Sequence, residues 1–179
     1  GVAMGLDFPC GKAMDEMVQR VLNTSGAGGF QRETEAAGKE KRNRSGDYFE
    51  GGRRGIEDFG TVNRKLLKKI HVDGGFMNLS GLETQALRLM EGEKAPFGAM
   101  FEEISVSLFY RLAEAFSSMI RWECERTGIR KVLMAGGVSS SKFLRGYLTD
   151  SLRTEVDIAF GESALSSDNA VGVARLGMK

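Results

Sequence analysis

The sequence predicts an α/β fold, a mixed sheet flanked by helices, on three observations. Val132-Leu133-Met134-Ala135, introduced by Arg130-Lys131, is too short and too uniformly apolar for an amphipathic helix. It reads as a strand buried on both faces of a parallel or mixed sheet. A second strand is expected over Glu155–Phe160, where Val156, Ile158 and Phe160 alternate. Between the two, Phe143, Leu144, Tyr147, Leu148 and Leu152 recur at helical spacing, so the connection is a helix.

The junction of the first strand and that helix is the most informative stretch. Gly136-Gly137 allows a sharp turn, and Ser139, Ser140 and Ser141 are good N-cap residues for the helix. Taken alone, such a turn is first of all structural. A glycine-rich strand-to-helix turn also exposes N–H groups beside a helix N-terminus, which suits phosphate or the edge of a nucleoside. The spacing is not the dinucleotide fingerprint GxGxxG.

The remaining elements come in chain order. Met14, Met17, Val18, Val21 and Leu22 form an amphipathic stripe, with Asp15 and Glu16 expected in the first turn of that helix. Residues 23–62 change character: no Val, Ile, Leu or Met occurs between Leu22 and Ile56, and residues 31–58 carry seven basic and seven acidic side chains. Such a stretch is highly charged yet neutral, and reads as a disordered or inserted loop. Phe30, Tyr48 and Phe49 among basic residues could touch RNA, but the matching acids argue against it. Arg64, Lys65, Lys68 and Lys69 are a denser basic cluster, read as the solvated face of a short helix that turns Leu66, Leu67 and Ile70 inward. Phe76–Leu89 begins extended and ends helical, with Asn78 or Ser80 as cap, Ser80 and Glu83 at capping-box spacing, and Leu82, Ala86, Leu87 and Leu89 inward. Phe97–Arg126 is the longest periodic element: Phe101, Ile104, Leu108, Leu112, Ala115, Phe116 and Met119 repeat every three to four residues, and Gly128 is its natural stop. Ser167-Asp168-Asn169 opens a small-residue helix, where an acid is ordinarily a cap.

Composition narrows the function classes. The net charge is +1, so no global field draws the chain to nucleic acid or an acidic membrane. Two cysteines, Cys10 and Cys124, suggest a reducing compartment, and Cys124 reads as a small buried hydrophobe. With one histidine, His71, a multi-ligand zinc site from this chain is not expected. No apolar run approaches ~18 residues, and no signal peptide is evident, so a cytoplasmic chain with no membrane partner is the expectation.

Four motifs in order resemble the C-terminal half of the TsaD family, also called Gcp, glycoprotease-like or peptidase M22. Met4–Ala13 (MGLDFPCGKA) resembles LGLPYPGGPA, and Leu79–Thr84 (LSGLET) resembles FSGLKT. Val132–Val138 (VLMAGGV) resembles VLVAGGV, with Leu144-Arg145 where the family has LR, and Ser166–Ala170 (SSDNA) resembles CTDNA. The resemblance implies the C-terminal lobe of an actin/sugar-kinase/Hsp70-like (ASKHA) fold, with 1–179 as a single partial domain. It implies a tRNA threonylcarbamoyladenosine synthase, an acyltransferase that moves threonylcarbamoyl from its adenylate to the tRNA adenosine beside the anticodon. On the matching positions, Cys10, Gly11, Lys12, Gly136, Gly137 and Ser141 are nucleotide-binding and Asp168 is a metal ligand. Implied cofactors are an adenine nucleotide (ATP or threonylcarbamoyl-adenylate) and one divalent metal, iron or zinc, if the other half of the family's site supplies ligands. Implied partners are tRNA and either a TsaB-like protein or a second copy of the chain.

The departures bear on activity. Cys10 and Lys12 replace the first Gly and the Pro of GGP, Glu83 replaces the Lys of GLKT, and Ser141 stands where Asn is expected. The family's HxxxH metal pair has no counterpart, and His71 matches no family ligand. The sequence therefore leaves two functions open: a lobe of the transferase completed by a metal-binding half, or a non-catalytic nucleotide-binding or dimerising scaffold. No nucleophile–His pair or metalloprotease motif supports a peptidase.

Overall fold

Helix α1 (Gly11–Thr24) is the first element of the computed structural model, which describes residues 10–24, 66–91 and 98–163. A hairpin comes next, β1 (His71–Asp73) and β2 (Phe76–Asn78), then α2 (Ser80–Met90) and the 29-residue α3 (Ala99–Thr127). The last elements are β3 (Lys131–Met134), a 3-10 turn (Val138–Ser140), α4 (Lys142–Leu152) and β4 (Asp157–Phe160). Strands β3 and β4 pair in parallel, Lys131 opposite Asp157 through Met134 opposite Phe160. Two parallel strands need a crossover, and α4 is that crossover. The mixed helix-and-strand class is as expected. The Met4–Phe8 motif, most of the 23–62 segment and Asp168 with its small-residue helix lie outside the described residues. Asn23 and Thr24, placed in that loop by composition, close α1 instead.

The main core gathers α1, α3, α4 and the inner face of β3–β4. Met14, Val18 and Leu22 of α1 meet Phe101, Val106, Phe109 and Ile120 of α3 and Phe143, Leu144, Leu148 and Leu152 of α4. Val132, Met134, Ile158 and Phe160 pack onto this cluster from the sheet. Cys124 belongs to the same core, 2% exposed. Phe143 meets Phe109 edge-on at 6.2 Å and stacks with Tyr147 at 6.2 Å, geometries that add to area burial. Burial, followed by the nearby Tyr110, raises the Tyr147 phenol far above its ordinary pKa. Gly128, with φ +73, ends α3 in the left-handed conformation expected of a C-terminal glycine.

Among the described residues only one face of the parallel pair is covered, where the sequence leads to the expectation of a strand buried on both faces. Along β3 and β4 the residues alternate between exposed and half-buried, and Leu133 is 70% exposed. The period-2 strand sends Val132 and Met134 to the helices and Lys131 and Leu133 away from them.

A second cluster joins Leu67, Ile70, Leu82 and Ala115. Residues 66–70 are not helical, contrary to the short helix expected there. They lie as an irregular segment whose buried backbone is held by α3: Ser107 Oγ accepts from Leu67 N at 3.0 Å, and Arg111 Nε donates to Leu67 O at 2.7 Å. Side chains thus satisfy peptide groups that no ladder reaches. Helix α2 differs from expectation in its cap and its inner face. Leu79 occupies the cap position with no side-chain bond, so Ser80–Glu83 is not a capping box. Asn78 Oδ1 instead accepts from Ser80 N at 3.1 Å and Ser80 Oγ at 2.6 Å. Leu87, expected inward, is 41% exposed.

The extended start expected at Phe76 is strand β2, while its hairpin partner β1 is not expected from the sequence. The hairpin's two-residue loop, Gly74-Gly75, has φ +53 and +79, the positive pair that hairpin turns of this length favour. Gly75 is required twice over, because a Cβ there would lie 2.9 Å from two ring atoms of Trp122. Gly75→Ala is expected to cost about 1–3 kcal/mol in urea unfolding. Gly74→Ala, with open space around its Cα, should cost less.

Arg121 ties α3 to the end of α4. It donates to Glu155 at 2.8 and 3.0 Å, to Ser151 O at 2.8 Å and to Ser117 Oγ at 2.9 Å. Hydrogen bonding from Arg121 holds the Glu155 carboxyl below its ordinary 4.5. A depressed folded-state pKa stabilises above the unfolded value and is lost as pH falls through the folded one. Stability should therefore lose a small increment below pH 4.5, under about 1 kcal/mol for so exposed a pair. Glu155→Gln should remove that part of the acid limb in a pH series of urea midpoints.

Candidate functional site

The N-terminus of α4 is built from two distant parts of the chain. Ser141 caps the helix through its own hydroxyl, which accepts from Leu144 N at 3.1 Å. The same hydroxyl donates to Asp15 Oδ1 at 2.5 Å. Asp15 also accepts from Lys142 N at 3.0 Å and Phe143 N at 3.3 Å. Asp15 lies on α1, 126 residues before Ser141, and is 9% exposed. A buried carboxylate on a helix N-terminus is favoured by the orphan N–H groups and by the dipole. It is past the first turn of α1, so it does not serve the α1 dipole as the sequence suggested.

This clamp bears on one of the two ligand contacts expected at the turn, phosphate or the edge of a nucleoside. The N–H groups of α4 that would meet a ligand phosphate already serve Asp15 and Ser141. The helix N-terminus is therefore occupied by the protein's own anion. The turn before it differs. Gly136 takes φ +103, and a Cβ placed there would meet nothing within 4 Å, so it borders open space. Gly137 has φ −57 and opens the 3-10 turn, so its backbone does not itself demand glycine. Ser139 Oγ donates to Gly136 O at 2.7 Å and fixes the turn's shape.

Of the residues singled out near Cys10, Gly11 is the first of α1 and also borders open space. Cys10 is half-buried against the main core, and its carbonyl accepts from Met14 N at 3.0 Å. Lys12 is exposed and forms a long 3.9 Å pair with Glu16. Since Asp15 is one turn beyond Gly11, the clamp draws the start of α1 to the start of α4.

Comparison with known proteins gives one answer. A protein of Chromobacterium violaceum named tRNA N6-adenosine threonylcarbamoyltransferase is 27% identical over 128 residues, 69% of this chain and 37% of that relative. Proteins of the same name from Syntrophotalea carbinolica (30% over 115 residues, 62% of this chain and 33% of the relative) and Chlamydia caviae (29% over 100 residues, 56% and 26%) agree. Over 56–69% of its length the chain is thus similar to proteins of that name, in keeping with the resemblance of its motifs to the TsaD family. No protein-family model matches it. It spans about a third of the length of these curated relatives.

Within this TsaD-like chain, the structure joins Ser141 to α1 and leaves Gly136 and Gly11 open. Asp168 lies outside the described residues. Among the described residues no group of three or more His, Cys, Asp or Glu could hold a metal ion, and no helix is long and apolar enough to cross a membrane. A shallow pocket of about 430 Å³ lies elsewhere, against the hairpin, with Lys69, His71, Ser118 and Trp122 among its walls. It includes none of the expected site residues. Sequence reasoning missed Asp15 as a member of the site. The available signal was an acid set directly among the core positions Met14, Met17 and Val18.

Proposed function

We propose that the chain is the C-terminal, nucleotide-facing lobe of a TsaD-like transferase with the ASKHA fold. In this reading it helps move threonylcarbamoyl from its adenylate to N6 of a tRNA adenosine. The observation that carries the reading is the agreement of three relatives bearing one activity name. The structure supports it physically, because ligands of open α/β sheets bind beyond the carboxyl ends of the strands, where the Gly136 turn stands. Open space at Gly136 and Gly11 fits the close approach of a flat adenosine edge to backbone. With Asp15 filling the α4 N-terminus, this wall takes the nucleoside and its phosphate lies elsewhere. Gly136 and Gly137 hold the nucleoside, Ser141 holds the turn, and Cys10, Gly11 and Lys12 line the approach.

The adenylate supplies the activated acyl group; the described residues bind and orient it. A divalent ion, iron or zinc, would need ligands beyond the described residues, with Asp168 as this chain's contribution. Either a TsaB-like protein or a second copy of the chain is the partner, and the setting is the cytoplasm, where tRNA is modified.

Calorimetry with a non-hydrolysable threonylcarbamoyl-adenylate analogue and with ATP tests the reading. Heat of binding that Gly137→Arg abolishes, with the fold kept, supports it. No heat from the wild-type chain leaves the scaffold role in its place.

A further inference from the structure

Two loops leave the carboxyl ends of β3 and β4, and a single side chain joins them. Arg145, in the first turns of α4, donates from Nε to Ser139 O at 2.6 Å and from Nη2 to Gly161 O at 2.5 Å. Its guanidinium carbon stands 5.2 Å from the centre of the Phe160 ring, the residue that closes β4. Gly161 N in turn donates to Met134 O at 2.8 Å, extending the contact between the strands by one residue. The two carbonyls belong to segments 22 residues apart in sequence. The planar guanidinium offers adjacent donors, Nε and Nη2, one to each carbonyl, while its face lies over the aromatic ring. Ser139 is 4% exposed and Gly161 half-buried, so their carbonyls need a partner within the protein, and a half-buried cation supplies it.

We propose that Arg145 is a positioning residue: it sets the gap between the glycine turn and the loop that starts at Gly161. That gap shapes the nucleoside wall, because Ser139 is fixed both to Gly136, through its hydroxyl, and to Arg145, through its carbonyl. Arg145 thus couples the glycine turn to the end of β4 without touching the ligand. The ligand named here rests on the reading under Proposed function; the latch itself rests on geometry alone.

The test uses Arg145→Ala and Arg145→Lys, with affinity for the adenylate analogue read by calorimetry and melting temperature recorded beside it. Arg145→Ala should weaken binding at least about tenfold, and millimolar ethylguanidinium should restore most of it, since a free guanidinium can re-form the bridge. Arg145→Lys keeps the charge but not the fork, so it should stay weak. Wild-type affinity in either variant would overturn the proposal. So would a loss that ethylguanidinium does not recover. If Arg145→Ala does not fold, Arg145→Lys carries the test. If the wild-type chain binds no nucleotide, that reading fails and the latch is judged separately by amide NMR. Arg145→Lys should then move the Gly136, Gly137 and Gly161 signals while leaving Leu148 in place. Unmoved glycine signals would overturn the latch.

Discussion

Replacing Phe143 by alanine should remove about 3–5 kcal/mol of stability, a large part of the roughly 5–15 kcal/mol that native domains possess. The ring is 1% exposed. It touches Phe109 edge-on and Tyr147 face-on, so its loss opens a cavity between α3 and α4 rather than a surface notch. It is also the second residue of α4, within the first turn after the cap Ser141. Its removal should therefore loosen the clamp as well as the core. The urea midpoint measures this, with an unchanged slope showing that the unfolded state is not what moved. Phe143→Leu, which refills part of the volume, should cost less than half as much.

Asp15→Ala should come second, at about 2–4 kcal/mol. The loss combines two backbone N–H groups and a hydroxyl left without their acceptor with the removal of a carboxylate from a helix N-terminus. An order among three variants gives the prediction its edge. Asp15→Asn retains one acceptor oxygen but turns an NH2 toward a donor, so it should fall between. Ser141→Ala leaves Asp15 its two backbone donors, so it should cost only about 1 kcal/mol. Urea midpoints for the three, measured together, check the order. Equal stability for Asp15→Ala and the wild type would contradict the clamp. The same variant should slacken the turn that begins the proposed wall.

Much of the architecture was legible because it is local. Helix α3 declares itself through Phe101, Ile104 and their successors, and α4 through Phe143, Leu144, Tyr147, Leu148 and Leu152, every one of which is buried. Strand β4 shows in the alternation of Val156, Ile158 and Phe160. Other features depend on what lies across space. Three-residue strands are too short to show alternation, so of hairpin β1–β2 only the extended start at Phe76 was legible, and the turn signal Asp73-Gly74-Gly75 marks the rest. The apolar run Val132–Met134 cannot say by itself how many of its faces are covered, and Leu133 faces outward. The candidate site was half legible. Its glycines stand where the motif puts them, but the acid that organises them is Asp15, paired with Ser141 across 126 residues. No local spacing encodes that pairing. Nor does spacing reveal that the helix N-terminus already holds an anion, which fits the adenosine-side contact that the resemblance implied for Gly136 and Gly137.

The glycine turn and the start of α1 are proposed to form one nucleoside wall, and amide NMR with the adenylate analogue probes that wall residue by residue. Shifts should concentrate at Cys10–Lys12 and Gly136–Ser141, with the hairpin signals of His71–Asn78 unmoved. Shifts confined to the hairpin pocket around Lys69 and Trp122, or none at all, would contradict it.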